Sequence, residues 1–227
     1  MRAAINKSGL YSLMLKEIPL FEGLPEPQLV ELLSLTHEFT YPRGSIITSQ
    51  GEMSNSLHII LEGRLKVFVN GSEGKQVVLS FLGTGDFVGE LSLLDNEPRS
   101  ASVLAVAKTR TLMLTQDSFN RFVDNHPETL LPMLRVLAKR LRALDETICS
   151  LSTLDVYGRV ARVLLQQAKE HDEGQITPRM THQDIAEMVG CSREMVSRIL
   201  KDLRTGGYIS IDGQKRIVIN RKLPLRW

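Results

Sequence analysis

The chain has 227 residues, of which 42% are hydrophobic, 24% charged and 5% aromatic, a globular composition for one large or two smaller domains that excludes a disordered, collagen-like or fibrous chain. No charge-free apolar run approaches the roughly 18 residues of a membrane helix, and the start, Met1 to Gly23, lacks an apolar core followed by a small-residue cleavage site, so an unexported chain with no membrane contact is expected. The formal charge of +2 conceals opposite halves: residues 1–153 hold 15 Lys and Arg against 17 Asp and Glu, whereas residues 154–227 hold 13 against 9.

After a short helical opening, Gly44, Gly51, Gly63, Gly71, Gly74, Gly83, Gly85 and Gly89 punctuate the stretch from about Glu38 to Leu114, separating short aliphatic and β-branched runs. Such punctuation predicts turns between strands. The runs Ser56 to Leu61, Leu65 to Val69, Gln76 to Phe81 and Thr111 to Leu114 read as strands, with Asn70-Gly71 as a hairpin turn between two of them. An antiparallel barrel or jelly roll follows.

From Leu130 the period changes. Leu134, Leu137, Leu141, Leu144, Ile148 and Leu151 fall at spacings of 3, 4, 3, 4 and 3, with Lys139, Arg140, Arg142, Asp145 and Glu146 outside that line. A heptad seam of this kind suits a long helix pairing with its own copy as a coiled coil; the alternative is a core helix lying on its own barrel. The two cysteines, Cys149 and Cys191, are too few and too far apart for a disulfide framework or a thiolate metal site, and fit a reducing cytoplasm.

A second helical stretch, Asp155 to Glu170, leads into the polar loop His171 to Gly174. Thr181, with Asp184 three residues on, forms a capping-box-like start for a helix through Met188; Gly190 breaks it, and Ser192 caps another running through Leu203. On that last helix Val196, Ile199, Leu200 and Leu203 share an inward face, leaving Arg193, Glu194, Ser197, Arg198 and Lys201 outward. Arginine can fork onto guanine O6 and N7 and glutamate can accept from cytosine N4, so this face is equipped for the major groove. Gly206 to Ile211 and Arg216 to Ile219, joined by Asp212-Gly213, read as a two-stranded wing, and Arg193 to Arg226 carries nine basic against three acidic residues, a field that attracts a polyanion. The plainer reading is a solvated face on an ordinary three-helix core.

Two segments carry a family likeness. The first is Gly85-Asp86-Phe87-Val88-Gly89-Glu90-Leu91-Ser92-Leu93-Leu94 followed by Pro98-Arg99-Ser100-Ala101; the second is Val189-Gly190-Cys191-Ser192-Arg193-Glu194-Met195-Val196-Ser197-Arg198-Ile199-Leu200. Over nearly its whole length the chain resembles the cyclic-AMP receptor protein and fumarate-nitrate regulator (CRP/FNR) family of bacterial transcription factors, with Leu154-Asp155-Val156 matching the family's hinge. The resemblance implies an α+β chain: a jelly-roll β-barrel of cyclic-nucleotide-binding type over residues 1–129, a dimerisation helix over 130–153, and a winged helix-turn-helix over 154–227. It implies a homodimer in the cytoplasm that binds double-stranded DNA at a palindromic TGTGA-type operator and works with RNA polymerase. Arg193, Glu194 and Arg198 match the base-contacting positions; Ser197, Lys201, Thr181 and Ser192 complete the expected DNA-facing set.

In the first segment Gly89 lets the backbone approach a ligand closely, the run from Glu90 to Leu94 can turn into a short helix whose N–H groups favour a phosphate, and Arg99 supplies the counter-charge. Glu90 can accept from a ribose 2′-hydroxyl, Ser100 can donate to a phosphate oxygen, and Leu91 belongs to the same cassette. Val67, Leu79 and Leu82 are expected to wall the pocket from inward-facing strand positions. The alternative is a structural ion pair between Glu90 and Arg99. Where the family's cyclic-AMP receptors place a Thr-Ser pair against adenine, this chain has Leu144 and Asp145. A carboxylate can accept both N1–H and N2–H of guanine but only one N6 hydrogen of adenine. Cyclic AMP follows from the cassette and cyclic GMP or cyclic di-GMP from Asp145, unless Asp145 is a solvated charge or pairs with an arginine of the partner helix; Arg140 or Arg142 would serve the second phosphate of a dinucleotide. The loop around Asp172 to Gly174 is shorter than the family's polymerase-activating loop, and the N-terminal cysteine cluster of the oxygen-sensing branch is missing. A jelly roll can also house a cupin-like metal enzyme, but His37 and His58 are the only histidines of the barrel segment and no His-x-His occurs, so no metal and no catalysis are expected.

Overall fold

The computed structural model describes residues 11–71, 76–171 and 174–224. They fall into two compact units, one ending at Leu141 and the other beginning at Arg142, a boundary inside one long helix.

In the first unit the strands are β1 (Thr36–Tyr41), β2 (Ile46–Thr48), β3 (Ser56–Glu62), β4 (Leu65–Asn70), β5 (Gln76–Leu82), β6 (Phe87–Val88), β7 (Ser102–Ala105) and β8 (Thr109–Thr115). They build two four-stranded antiparallel sheets, ordered β1-β8-β3-β6 and β2-β7-β4-β5, the jelly roll that the glycine punctuation predicts. Helices α1 (Glu26–Ser34), α2 (Glu90–Asp95) and α3 (Gln116–Asn125) join the roll. Strand β3 shows why its sequence is nearly unbroken apolar. Leu57, Ile59 and Leu61 pack with Leu29 and Leu32 of α1 and Phe119 and Phe122 of α3, while Ile60, with the opposite parity, packs with Leu65, Val67, Val103 and Ala105 between the sheets. His58 shares the parity of Ile60 and is 3% exposed.

The hairpin of β4 and β5 differs from expectation at two points. Asn70 pairs with Gln76, so the connection spans residues 71–75 and is longer than an Asn-Gly turn; residues 72–75 lie outside those described. Val67 faces Ser80 while Phe68 faces Val78, so a bulge leaves Leu79 unpaired. The extra residue breaks the alternation, and Leu79, expected inward, is 54% exposed.

The long helix α4 (Leu130–Thr153) has two apolar faces. Met133 and Val136 are buried in the roll's core, whereas Leu134, Leu141, Leu144, Ile148 and Leu151 are 57–64% exposed and Leu137 is half-buried. One face of the helix therefore packs on its own barrel, and the predicted seam positions form an exposed apolar stripe on another.

In the second unit, α5 (Val156–Gln167), α6 (His182–Val189) and α7 (Arg193–Thr205) enclose a core of Val160, Leu164, Ile185, Val189, Val196, Ile199 and Leu203. Helix α5 stops at Gln167, not Glu170: Ala168 turns extended, and Lys169–His171 forms β9, paired with β10 (Gly174–Ile176). The polar loop of that hairpin falls partly on residues 172–173, outside those described. The wing strands β11 (Ile209–Ile211) and β12 (Ile217–Ile219) join them in one sheet, β11-β12-β10-β9, so the expected two-stranded wing is the edge of a four-stranded sheet.

Candidate functional site

In the roll the site is built on a backbone turn. Gly89 caps α2 in the left-handed region at φ 97°, and a Cβ there would lie 2.3 Å from Ser56 O and 2.4 Å from Arg99 Nη1. Only glycine fits, on conformation and on space together. Through this gap the Arg99 side chain, 4% exposed, reaches the neighbouring strand. Its Nη1 donates to Gly89 O at 3.1 Å, and its Nη2 donates to Ser56 O at 2.8 Å, Ser56 Oγ at 2.9 Å and Ser54 Oγ at 3.3 Å. Its buried Nε has no partner. Burial pulls the guanidinium below its ordinary pKa, opposed by the carboxylates of Glu52 and Glu90; arginine stays charged, so this is a buried cation with a donor to spare.

Glu90, 6% exposed, pairs with Arg140 of α4, so its ion-pair partner is Arg140, not the Arg99 considered above. Arg140 also donates to Phe87 O at 3.3 Å and lies 4.3 Å over the Phe87 ring. Its arrival could not be read in the heptad, because it depends on Met133 and Val136 seating α4 against the roll. Val67 and Leu82, expected to wall the pocket, belong to the apolar cluster between the sheets. Leu91 and Ser100 are exposed, and Leu144 and Asp145 are exposed on α4. Ser54 and Ser56 carried no sequence signal.

Beyond Ser56 lies His58, whose Nε2 is 3.2 Å from Ser56 Oγ and whose Nδ1 is 3.5 Å from Thr111 Oγ1. Burial, with the charge of Arg99, lowers its pKa to about 4, so it is neutral at pH 7. It is an internally bonded histidine, while His37 is exposed on β1. Among the described residues no group of three His, Cys, Asp or Glu side chains is placed to hold a metal ion, and no helix is long and apolar enough to cross a membrane.

The second unit carries the other surface. Thr181 and Asp184 form a full capping box at the start of α6, Gly190 ends it at φ 74°, and Ser192 caps α7 by accepting from Met195 N–H at 3.2 Å. Arg193, Glu194, Ser197, Arg198 and Lys201 all face solvent, as the periodicity requires, and with His182 they line a shallow hollow of about 460 Å³. Thr181 and Ser192 are exposed, but their hydroxyl oxygens are engaged as caps. A second groove of about 520 Å³ separates α7 from the wing; Arg179, Lys201, Arg204 and Lys215 lie along it. Arg179, Arg204 and Lys215 were not singled out in the sequence, because their convergence depends on how the wing folds beside α7.

A jelly roll with a buried cation, followed by a winged helix-turn-helix with an arginine-rich outer face, is the build of a ligand-responsive DNA-binding regulator. The cyclic nucleotide-binding domain matches residues 38–126 and the Crp-like helix-turn-helix domain matches residues 158–226. The cAMP-activated global transcriptional regulator CRP of Salmonella typhimurium is 36% identical over 199 residues, 85% of this chain and 94% of its own. The CRP-like cAMP-activated global transcriptional regulator of Mycobacterium tuberculosis is 32% identical over 204 residues, 88% of this chain and 91% of its own. Among solved structures, the c-di-GMP-responsive global regulator CLP of Xanthomonas campestris aligns with a TM-score of 0.69 at 25% identity, over 86% of this chain and 99% of that one. The chain belongs to the CRP/FNR family: it is a cyclic-nucleotide-binding, DNA-binding transcription regulator, and its relatives are regulators, not enzymes.

Proposed function

We propose that the chain is a cytoplasmic homodimer that binds cyclic AMP in the roll, reads a palindromic TGTGA-type operator through α7 and works with RNA polymerase. The observation that carries the ligand reading is Arg99: a buried cation with an unpaired Nε, beside a glycine turn and the carboxylate of Glu90. A cyclic phosphate supplies the missing acceptor and neutralises the charge, and Glu90 accepts from the ribose. The dimer reading rests on the exposed stripe of α4, since five large aliphatic side chains on one line of a helix seek a partner and each contributes roughly 2 kcal/mol when buried. A ligand that favours one dimer geometry then sets the spacing of the two reading heads. The domain scheme remains that of a roll to residue 129, a dimer helix over 130–153 and a reading head from 154.

A second reading replaces cyclic AMP by cyclic GMP or cyclic di-GMP. It is favoured by the exposed carboxylate of Asp145 in place of a hydroxyl pair, and the relative from Xanthomonas campestris is described as c-di-GMP-responsive. Calorimetric titration of wild type and Asp145→Ala with the three nucleotides separates the readings. Cyclic AMP bound most tightly by both chains supports the first; a guanine preference lost in Asp145→Ala supports the second.

A further inference from the structure

Resting on the cyclic-nucleotide reading, we infer that Ser56, backed by His58, is a positioning residue for Arg99, holding its guanidinium on β3 so that Nε is left for the phosphate. Arginine only donates. Its Nη2 is taken up by Ser56 O, Ser56 Oγ and Ser54 Oγ and its Nη1 donates to Gly89 O, and Ser56 alone supplies two of these oxygens. With the proton of neutral His58 on Nδ1, towards Thr111 Oγ1, the hydroxyl of Ser56 accepts from Arg99 and donates to Nε2 of His58 behind it. Neutral His58 fits this chain, because a second cation there would point a donor at Ser56 and repel Arg99. Gly89 closes the seat from the other side, since a side chain at that position would strike both Ser56 O and Arg99 Nη1. A planar cation fixed at one end in this manner has less side-chain freedom left to lose when an anion binds.

The test pairs serine variants with a change at Arg99. Cyclic AMP, cyclic GMP and cyclic di-GMP are titrated into wild type, Ser56→Ala and Ser56→Thr, each also in an Arg99→Lys background. Ser56→Ala should weaken whichever nucleotide binds wild type by about 10-fold to 100-fold, the range for a hydrogen bond to a charged group. Ser56→Thr, which keeps the hydroxyl, should recover most of that loss, and in the Arg99→Lys background Ser56→Ala should change little. An equal loss in both backgrounds, or none in either, overturns the inference. If Ser56→Ala does not fold, His58→Gln, which keeps an acceptor for the Ser56 proton, should bind more tightly than His58→Phe; equal binding overturns it. If wild type takes up none of the three nucleotides, the ligand reading fails, and the Arg99 Nε–H resonance in nitrogen-15 NMR still decides the seat. Slow exchange in wild type and Ser56→Thr with fast exchange in Ser56→Ala supports it, and an unchanged resonance in Ser56→Ala refutes it.

Discussion

Arg99 is a cation almost shut off from solvent, held by carbonyl and hydroxyl oxygens and with its buried Nε–H unpartnered. Its importance was legible in the sequence as a charge ten residues beyond Gly89, but its setting was not. Ser56 reaches it only because β3 and β6 run antiparallel with His58 opposite Val88, and a register between strands this far apart in sequence leaves no local trace. Replacing Arg99 by Ala should weaken every cyclic nucleotide by at least about 100-fold whatever its base, because the phosphate loses its charged partner; calorimetry checks it, and selective loss of one base would point away from phosphate. His58 carries a second expectation. An unfolded histidine takes a proton below about pH 6.5, while folded His58 resists until about pH 4, owing to burial and to Arg99. Between those values the unfolded chain binds the extra proton, so stability should fall as the pH is lowered through this window, by about 3 kcal/mol in all. Urea unfolding of wild type and His58→Gln at stepped pH isolates this component, and parallel curves for the two chains would show that His58 does not supply it.

The elements with long apolar patterns were legible at once. Strands β3, β4 and β5 are set off by glycines, α7 by its i, i+3, i+4, i+7 face, which reports burial of one side, and α6 by its capping box, a local pairing of side chain and backbone. The misses were local propensities overruled by distant partners. Lys169 and Glu170 are good helix formers, yet the chain leaves the helix because Ile176 and Gln175 offer their backbones a sheet ladder. Leu79 follows the alternation of β5 on paper, but the bulge opposite Val67 turns it outward. For α4 the reading as a helix packed on its own barrel holds on the face of Met133 and Val136, while the opposite face is an exposed apolar stripe on which the proposed dimer depends. Leu141→Asp or Ile148→Asp should separate the dimer, since paired carboxylates in an apolar seam cost several kcal/mol, and operator binding should fall with it. Light scattering reads the assembly and fluorescence anisotropy the DNA; variants that remain dimeric and bound would place the stripe outside the interface.

At the scale of the whole molecule, the proposed dimer would link sensing to reading through assembly. If a nucleotide raises operator affinity by some factor, saturating operator must raise nucleotide affinity by the same factor, whichever route the coupling takes. Specificity and grip are expected from different residues of each reading head. Arg193 and Arg198 lie on the outward face of α7, and Arg193→Ala or Arg198→Ala should cost about 1 to 3 kcal/mol on the operator and much less on random DNA. Equal losses on both would assign these arginines to phosphates. Arg179, Arg204 and Lys215 lie along the groove beside the wing; they are expected to meet phosphates, so their loss should weaken all DNA alike and flatten the salt dependence. A two-fold dimer adds a geometric demand that no single head makes. Its two copies of α7 should enter successive major grooves on one side of the duplex, roughly 34 Å apart, so the half-sites must keep helical phase. Inserting about 5 base pairs between them moves one half-site by half a turn to the opposite face of the duplex, where a head still engaged on the first cannot reach it. Affinity should then drop to that of a single half-site, with the ligand's effect on DNA binding reduced in step, because spacing no longer matters to a dimer held by one head. An operator that tolerates the insertion without loss would mean that each head reads DNA alone, and that the exposed seam of α4 serves something other than register.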